Sequence, residues 1–176
     1  ALHQVYPFLP PKEPSKGQYL TFNLTIYEKL LDALYPSLSI SENIYLKGKL
    51  ASEGERSVVS LDAPILRWDS VQLQDIHFQL DTKNPLYNTF LSVSDLKHDY
   101  YSGSDFNMIS TQLRDTLYFR SEFLGSKNAT TQFDVNFYHT REKNGTSHFG
   151  FKKSNLPLGK DNWIINPSNA TNEKIS

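Results

Sequence analysis

Along much of the chain, apolar residues recur at every second position. In Tyr19–Ile26 the even positions Leu20, Phe22, Leu24 and Ile26 are apolar, and the odd positions Thr21, Asn23 and Thr25 are polar. That alternation predicts a half-buried strand. Thr25 and Glu28 then stand at capping-box spacing around Ile26, Leu30, Leu31 and Leu34. The spacing predicts a helix of about ten residues over Ile26–Tyr35, stopped by Pro36. Both predictions claim Ile26, and only one can hold there.

Strand patterns follow one another after Pro36. Ile44, Leu46 and Leu50 share a parity, with Tyr45, Lys47 and Lys49 opposite. Glu53-Gly54-Glu55 predicts a turn into a strand over Ser57–Asp62, which Pro64 interrupts and Ile65–Asp69 resumes. Val71 and Leu73 are odd and apolar, whereas Ile76, Phe78 and Leu80 are even and apolar. A β-bulge at Gln74-Asp75 would keep one face apolar through that change of parity. Leu91 and Val93 predict a short strand, Leu117, Phe119 and Phe123 another, and Phe133, Val135 and Phe137 a third. Asn144-Gly145, between His139 and Phe149, predicts a two-residue hairpin turn. Phe149 and Phe151 continue the pattern, and Trp163 and Ile165 close it.

The sum is about ten short strands and one helix near the N-terminus, separated by polar turns, which is the mark of antiparallel sheet. The expected fold is mainly β: a curved antiparallel sheet or an incomplete, taco-like barrel. Residues 1–18, cut by Pro7, Pro10, Pro11 and Pro14, are expected to form a Pro-rich linker, residues 19–166 one β-rich domain, and residues 167–176 a polar tail. Ala1–Gln18 has neither the basic start nor the apolar stretch of a signal peptide. The apolar parity selects Leu46, Leu50, Val59, Leu61, Ile76, Phe78, Leu91, Val93, Leu117, Phe119, Phe133, Val135 and Phe137 as one face. Such a face must be buried against another sheet, against itself by curling, or against a ligand. The core of an ordinary sandwich or barrel gives the same set of residues as a lipid-binding groove.

Composition narrows the chemistry. The 176 residues carry 18 Lys+Arg against 19 Asp+Glu, which excludes the basic stripe of a nucleic-acid binder. Cysteine is absent, and with it disulfides, thiolate metal sites and thiol nucleophiles. The nucleophile-elbow, phosphate-loop, dinucleotide-binding and HExxH motifs are missing, so no enzyme activity, catalytic residue, metal or cofactor is expected. Asp75 and His77, two apart on a strand, supply at most two ligands, and His98-Asp99 falls in a loop. Scattered carboxylates such as Asp62, Asp81 and Asp134 are read as surface acids, and a hydrolase ranks last among the functions. Trp68, Tyr100, Tyr101, Tyr118, Tyr138 and Trp163 would suit sugar stacking but equally suit the edges and core of a β-protein. The tripeptides at Asn23, Asn128, Asn144 and Asn169 match glycosylation sequons, as several positions of so Asn- and Thr-rich a chain would by chance.

Three stretches together resemble the TamB family of AsmA-like envelope proteins, in its form from Bacteroidetes-type bacteria. These are Tyr19–Leu50 (YLTFNLTIYEKLLDALYPSLSISENIYLKGKL), Leu61–Asp81 (LDAPILRWDSVQLQDIHFQLD) and Phe149–Asn169 (FGFKKSNLPLGKDNWIINPSN). Asp69-Ser70-Val71 and Asp115-Thr116-Leu117 also look like the O-glycosylation tripeptide of that phylum. The resemblance implies an interior fragment of a periplasmic protein anchored in the inner membrane. It implies a sheet curled around an apolar groove, with a part in phospholipid passage to the outer membrane and in outer-membrane biogenesis. The implied partners are phospholipid acyl chains, held by the thirteen residues of the apolar face, and outer-membrane β-barrel proteins. A fragment's exposed sheet edges would also invite pairing between copies. Two other functions compete: an interaction module for outer-membrane protein assembly, working through its edges, and a lectin-like β-sandwich.

Overall fold

A computed structural model describes residues 17–169, apart from 53–54, 115, 127–129, 143 and 159. The outer parts of the expected linker and tail, and the Glu53-Gly54 half of the first expected turn, lie outside the described residues. The elements are β1 (Tyr19–Ile26), α1 (Glu28–Leu34), β2 (Leu38–Ile40), β3 (Ile44–Ala51), β4 (Val58–Trp68), β5 (Val71–Asp81) and β6 (Thr89–His98). Then come β7 (Tyr101–Leu113), β8 (Thr116–Ser126), β9 (Thr131–Arg141), β10 (Ser147–Phe151), β11 (Ser154–Leu158) and β12 (Asp161–Ile165). All twelve strands belong to one sheet, in the order β1-β3-β4-β5-β6-β7-β8-β9-β11-β12, with β2 beside β4 and β10 beside β9. Every pairing is antiparallel, and β1 and β12 end the sheet without meeting. The fold is therefore an open, curved antiparallel sheet with one short helix. The two-sheet sandwich is not formed, because no second sheet exists among the described residues.

β1 follows its parity to the residue, pairing along its whole length with β3 from Tyr19 opposite Ala51 to Ile26 opposite Ile44. Ile26 goes to the strand, not the helix. The helix is shorter than expected, and the Thr25–Glu28 capping box does not form. Thr25 is still extended in β1, and the helix starts after Tyr27 with no side-chain cap. A packed cluster lies under this helix: Ile40, Ile44 and Ala63 are buried, with Ile26, Leu31, Leu61, Leu66 and Ile76 against them.

That cluster shows how the sheet keeps one face apolar. Leu61 and Leu66 both pack into it, although five residues of strict alternation would put them on opposite faces. The switch falls at Pro64, and the neighbouring strands switch in the same place. By register, Pro64, Asp75, Ser94 and Asp105 form a row across β4–β7 where ladder pairing lapses, and Asp75 and Asp105 take left-handed backbone (φ 48° and 52°). Aspartate tolerates that region better than most residues. Pro64 thus does not divide β4, since its missing N–H falls where the ladder is already open. Nor does Asp75 make the expected bulge: β5 keeps one register with β4 and β6 on both sides of it. The extra residue enters farther on, where Asp105 and Phe106 face the single residue Phe123 of β8.

Other corrections follow from the same ladder. The short strand at Leu91 and Val93 is ten residues long, and β7, the longest strand at thirteen residues, has no counterpart in the alternation reading. The β9–β10 hairpin forms at Asn144-Gly145, but its loop is longer than two residues. Glu142 N–H donates to Thr146 O, and Gly145, at φ 88°, donates to Glu142 O. A turn followed by a left-handed glycine is the next commonest hairpin solution. β10 and β11 run end to end along β9 and slip by one residue at Lys152-Lys153, since Phe151 faces Phe137 while Asn155 faces Asp134. The buried Ser154 hydroxyl closes this gap, accepting from Asn136 N–H at 2.8 Å and lying 2.9 Å from Lys152 O.

Candidate functional site: two faces of one sheet

Residues directly opposite in an antiparallel ladder point to the same side. One row of such partners crosses eight strands: Leu24, Leu46, Leu61, Phe78, Leu91, Met108, Ser121 and Val135. A parallel row carries Phe22, Gly48, Val59, Leu80, Thr89, Ser110, Phe119 and Phe137. Leu50, Ile76, Val93, Leu117 and Phe133 share strand and parity with these rows. All thirteen residues of the expected apolar face therefore lie on one side of the sheet. Val93, Leu117 and Phe133 are buried, and the other ten are half-buried.

The face changes character along the sheet. Near α1 it is aliphatic and covered. Toward β8 and β9 it becomes a set of cross-strand ring stacks: Phe119 on Phe137 at 4.6 Å, Phe123 on Phe133 at 4.9 Å, and His139 on Phe149 at 4.3 Å. Stacked pairs of this kind contribute about 0.5–1.5 kcal/mol each beyond the area they bury. Burial and the nearby Arg141 hold the His139 imidazole below its ordinary pKa.

The opposite face is polar and carries two adjoining hollows. A cleft of about 670 Å³ spans β6–β9, lined by Phe90, Asn107, Ile109, Arg120, Glu122, Gln132, Asp134 and Asn136. A second, of about 470 Å³, adjoins it, and there Lys152 Nζ lies 5.6 and 5.8 Å from the ring centres of Tyr118 and Tyr138. A third hollow of about 610 Å³ at the β1–β3 end includes Leu20 and Leu50. Of the aromatics considered for sugar stacking, Trp68, Tyr100 and Trp163 are largely exposed, while Tyr138 is buried against its cross-strand partner.

The candidate ligand groups are spread out. His77 Nδ1 meets Asp62, its cross-strand partner, at 2.6 Å, and His98 accepts from Tyr100 N–H in the β6–β7 turn. Among the described residues no three His, Asp or Glu side chains gather as a metal site would require. A polar spine that alternation did not single out ties the strand ends together. Asp81 is buried, takes Arg56 Nε at 3.0 Å and Lys83 N–H at 3.0 Å, and its carboxyl is held below the usual range chiefly by the Arg56 hydrogen bond. Beside it Ser57, fully buried, accepts from Ala51 N–H and donates its own N–H to Thr82 Oγ1. The alternation Tyr118-x-Arg120-x-Glu122 and Asp134-x-Asn136-x-Tyr138 carries the signal for the polar face and its hollows, but Lys152 reaches the second hollow from the slip between β10 and β11, which has no such signal.

No protein-family model, no curated protein and no solved structure matches this chain.

Proposed function

We propose that this chain is a non-catalytic module whose open apolar face receives phospholipid acyl chains. In this reading it is part of a periplasmic, inner-membrane-anchored protein of the TamB/AsmA-like kind, serving lipid passage to the outer membrane. One observation carries the reading: thirteen apolar residues of β3–β6, β8 and β9 share one face, ten of them only half-buried, and no second sheet lies against it among the described residues. A contiguous apolar surface of that extent marks an interaction site. An acyl chain laid along it leaves water at a gain of about 0.8 kcal/mol per CH₂. The thirteen side chains include no charge to obstruct it. Because the hollows of β6–β9 lie on the polar face, an acyl chain on the apolar face of those strands lies on an open surface, not inside a tunnel. Weak, unspecific binding of that form suits passage better than storage.

The test is native mass spectrometry of the chain after incubation with phospholipid vesicles, followed by solvent extraction. Adducts of phospholipid mass are expected, and Phe78→Asp and Phe137→Asp are expected to abolish them while leaving the β-sheet circular dichroism intact. A lipid-free mass for the unaltered chain would sink the reading. Unfolding of both variants would show instead that the face is a closed core.

A further inference from the structure

We infer that β1 is the contact strand of a symmetric dimer, pairing antiparallel with β1 of a second copy about a two-fold axis at Phe22. The inference does not depend on what the apolar face holds.

Natural sheets protect their open edges with charges, proline, bulges or very short strands. β1 has none of these. It is eight residues long, contains no charged residue and no proline, and keeps one unbroken register with β3. The outward-facing backbone groups can be assigned. Ser52 N–H donates to Gln18 O at 2.9 Å, so Gln18 and every second residue after it turn toward β3. Tyr19, Thr21, Asn23 and Thr25 therefore present their N–H and C=O groups to the free side, where no described residue pairs with them.

The sequence of β1 selects the occupant. Its apolar positions Leu20 and Leu24 stand symmetrically about Phe22, with uncharged residues at Tyr19, Thr21, Asn23 and Thr25 between and beyond them. An antiparallel copy centred there places Leu20 against Leu24, Thr21 against Asn23 and Tyr19 against Thr25, with Phe22 facing itself. The outward-facing odd residues then become the hydrogen-bonded pairs, as the free groups require. Leu20, Phe22 and Leu24 lie on the apolar face, and Leu20 and Leu24 are 60% and 50% exposed. In the dimer they meet their own kind, and the two apolar faces join on one side of a continuous sheet. A two-fold contact is closed and stops at two copies. Pairing of β1 with β12 of another copy would be head-to-tail and open-ended, and β12 offers only five residues.

The chain has no cysteine, so single substitutions report the register cleanly. Phe22→Cys places two thiols across the axis, with Cα atoms about 4.5–5.5 Å apart, within disulfide reach. Leu20→Cys leaves its two thiols four residues out of step, about 13 Å apart, beyond that reach. Under mild oxidation the first variant is expected to form a covalent dimer and the second to stay uncrosslinked. In sedimentation velocity the unaltered 176-residue chain is expected to run as a dimer. Asn23→Pro, which removes an outward N–H but none facing β3, should weaken association at least about tenfold, with unchanged circular dichroism. A monomer up to ~100 µM, an open-ended series of masses, equal crosslinking of the two cysteine variants, or an undiminished Asn23→Pro dimer would each overturn the inference.

Discussion

Ile40 and Phe119 lie on the same face of the same sheet, yet they live in different surroundings. Ile40 is 2% exposed, packed with Ile44 and Ala63 beneath α1. Phe119 is half-buried, stacked on Phe137 across the β8–β9 ladder, where the helix does not reach. Side-chain chemistry alone does not separate them, for both are large and apolar. What separates them is a second layer. Seven residues of helix turn one corner of the sheet into a packed cluster, and beyond it the face has no helix over it among the described residues, with Val93, Leu117 and Phe133 buried among their strand neighbours and the rest half-buried. Stability should therefore concentrate in the corner, and binding on the uncovered stretch.

The largest expected effect tests that division directly. Ile40→Ala leaves a cavity in the corner and should cost about 2–5 kcal/mol. For a chain of this size that lowers the melting temperature by roughly 5–15 °C. Phe119→Ala should cost less, because the vacated space opens to solvent; the loss is the buried part of the ring together with one ring stack of about 0.5–1.5 kcal/mol. Thermal melts followed by circular dichroism measure both. Equal losses would break the comparison by showing that the β8–β9 face is covered after all.

The contrast also explains which parts of the fold can be read from the sequence. β1 is legible to the residue because nothing interrupts its alternation. The open sheet and single helix follow from the many strand patterns and the one helical spacing. β7 is not legible. Its alternation reverses at Asp105, and its apolar positions are diluted by Ser102, Ser104, Asn107 and Ser110. A parity reversal looks the same in sequence whether it ends a strand, bulges it or passes through it. Only the neighbouring strands, reversing along one row, decide the case. The apolar set of thirteen is legible for a similar reason in reverse: parity fixes the side of a sheet, though it does not fix what lies over that side. The Arg56–Asp81 pair and the reach of Lys152 to Tyr118 and Tyr138 join residues far apart in the chain, and no local period announces them.

A smaller effect bears on the strand ends tied by the polar spine, at Ala51, Ser57, Asp81 and Thr82. Arg56 keeps the Asp81 carboxyl ionised below its ordinary range. A carboxyl with a depressed folded-state pKa stabilises the fold above its unfolded value, near 3.9, and that contribution is lost as pH falls through the folded value. Arg56→Ala should lower the melting temperature at neutral pH, and the gap from the unaltered chain should close in strong acid, where Asp81 is protonated in both. A gap that stays constant down to the lowest pH would assign the loss to packing of the Arg56 stem.

The smallest effect belongs to the far end of the sheet, at His139. Its imidazole stacks on Phe149, and burial together with Arg141 favours the neutral form. A histidine whose folded pKa lies below its unfolded value, about 6.5, binds fewer protons folded than unfolded. Its contribution is therefore complete above about 6.5 and declines as pH falls through that value toward the folded one. The chain should lose a little stability between neutral and mildly acid pH, and His139→Phe, which keeps the ring stack and removes the titration, should flatten that slope while leaving the slope in stronger acid, due to Asp81, in place. Urea titrations at closely spaced pH values separate the two slopes. If His139→Phe leaves the mild-acid slope unchanged, the imidazole titrates in the open, and the β9–β10 end of the apolar face is wetter than its ring stacks imply.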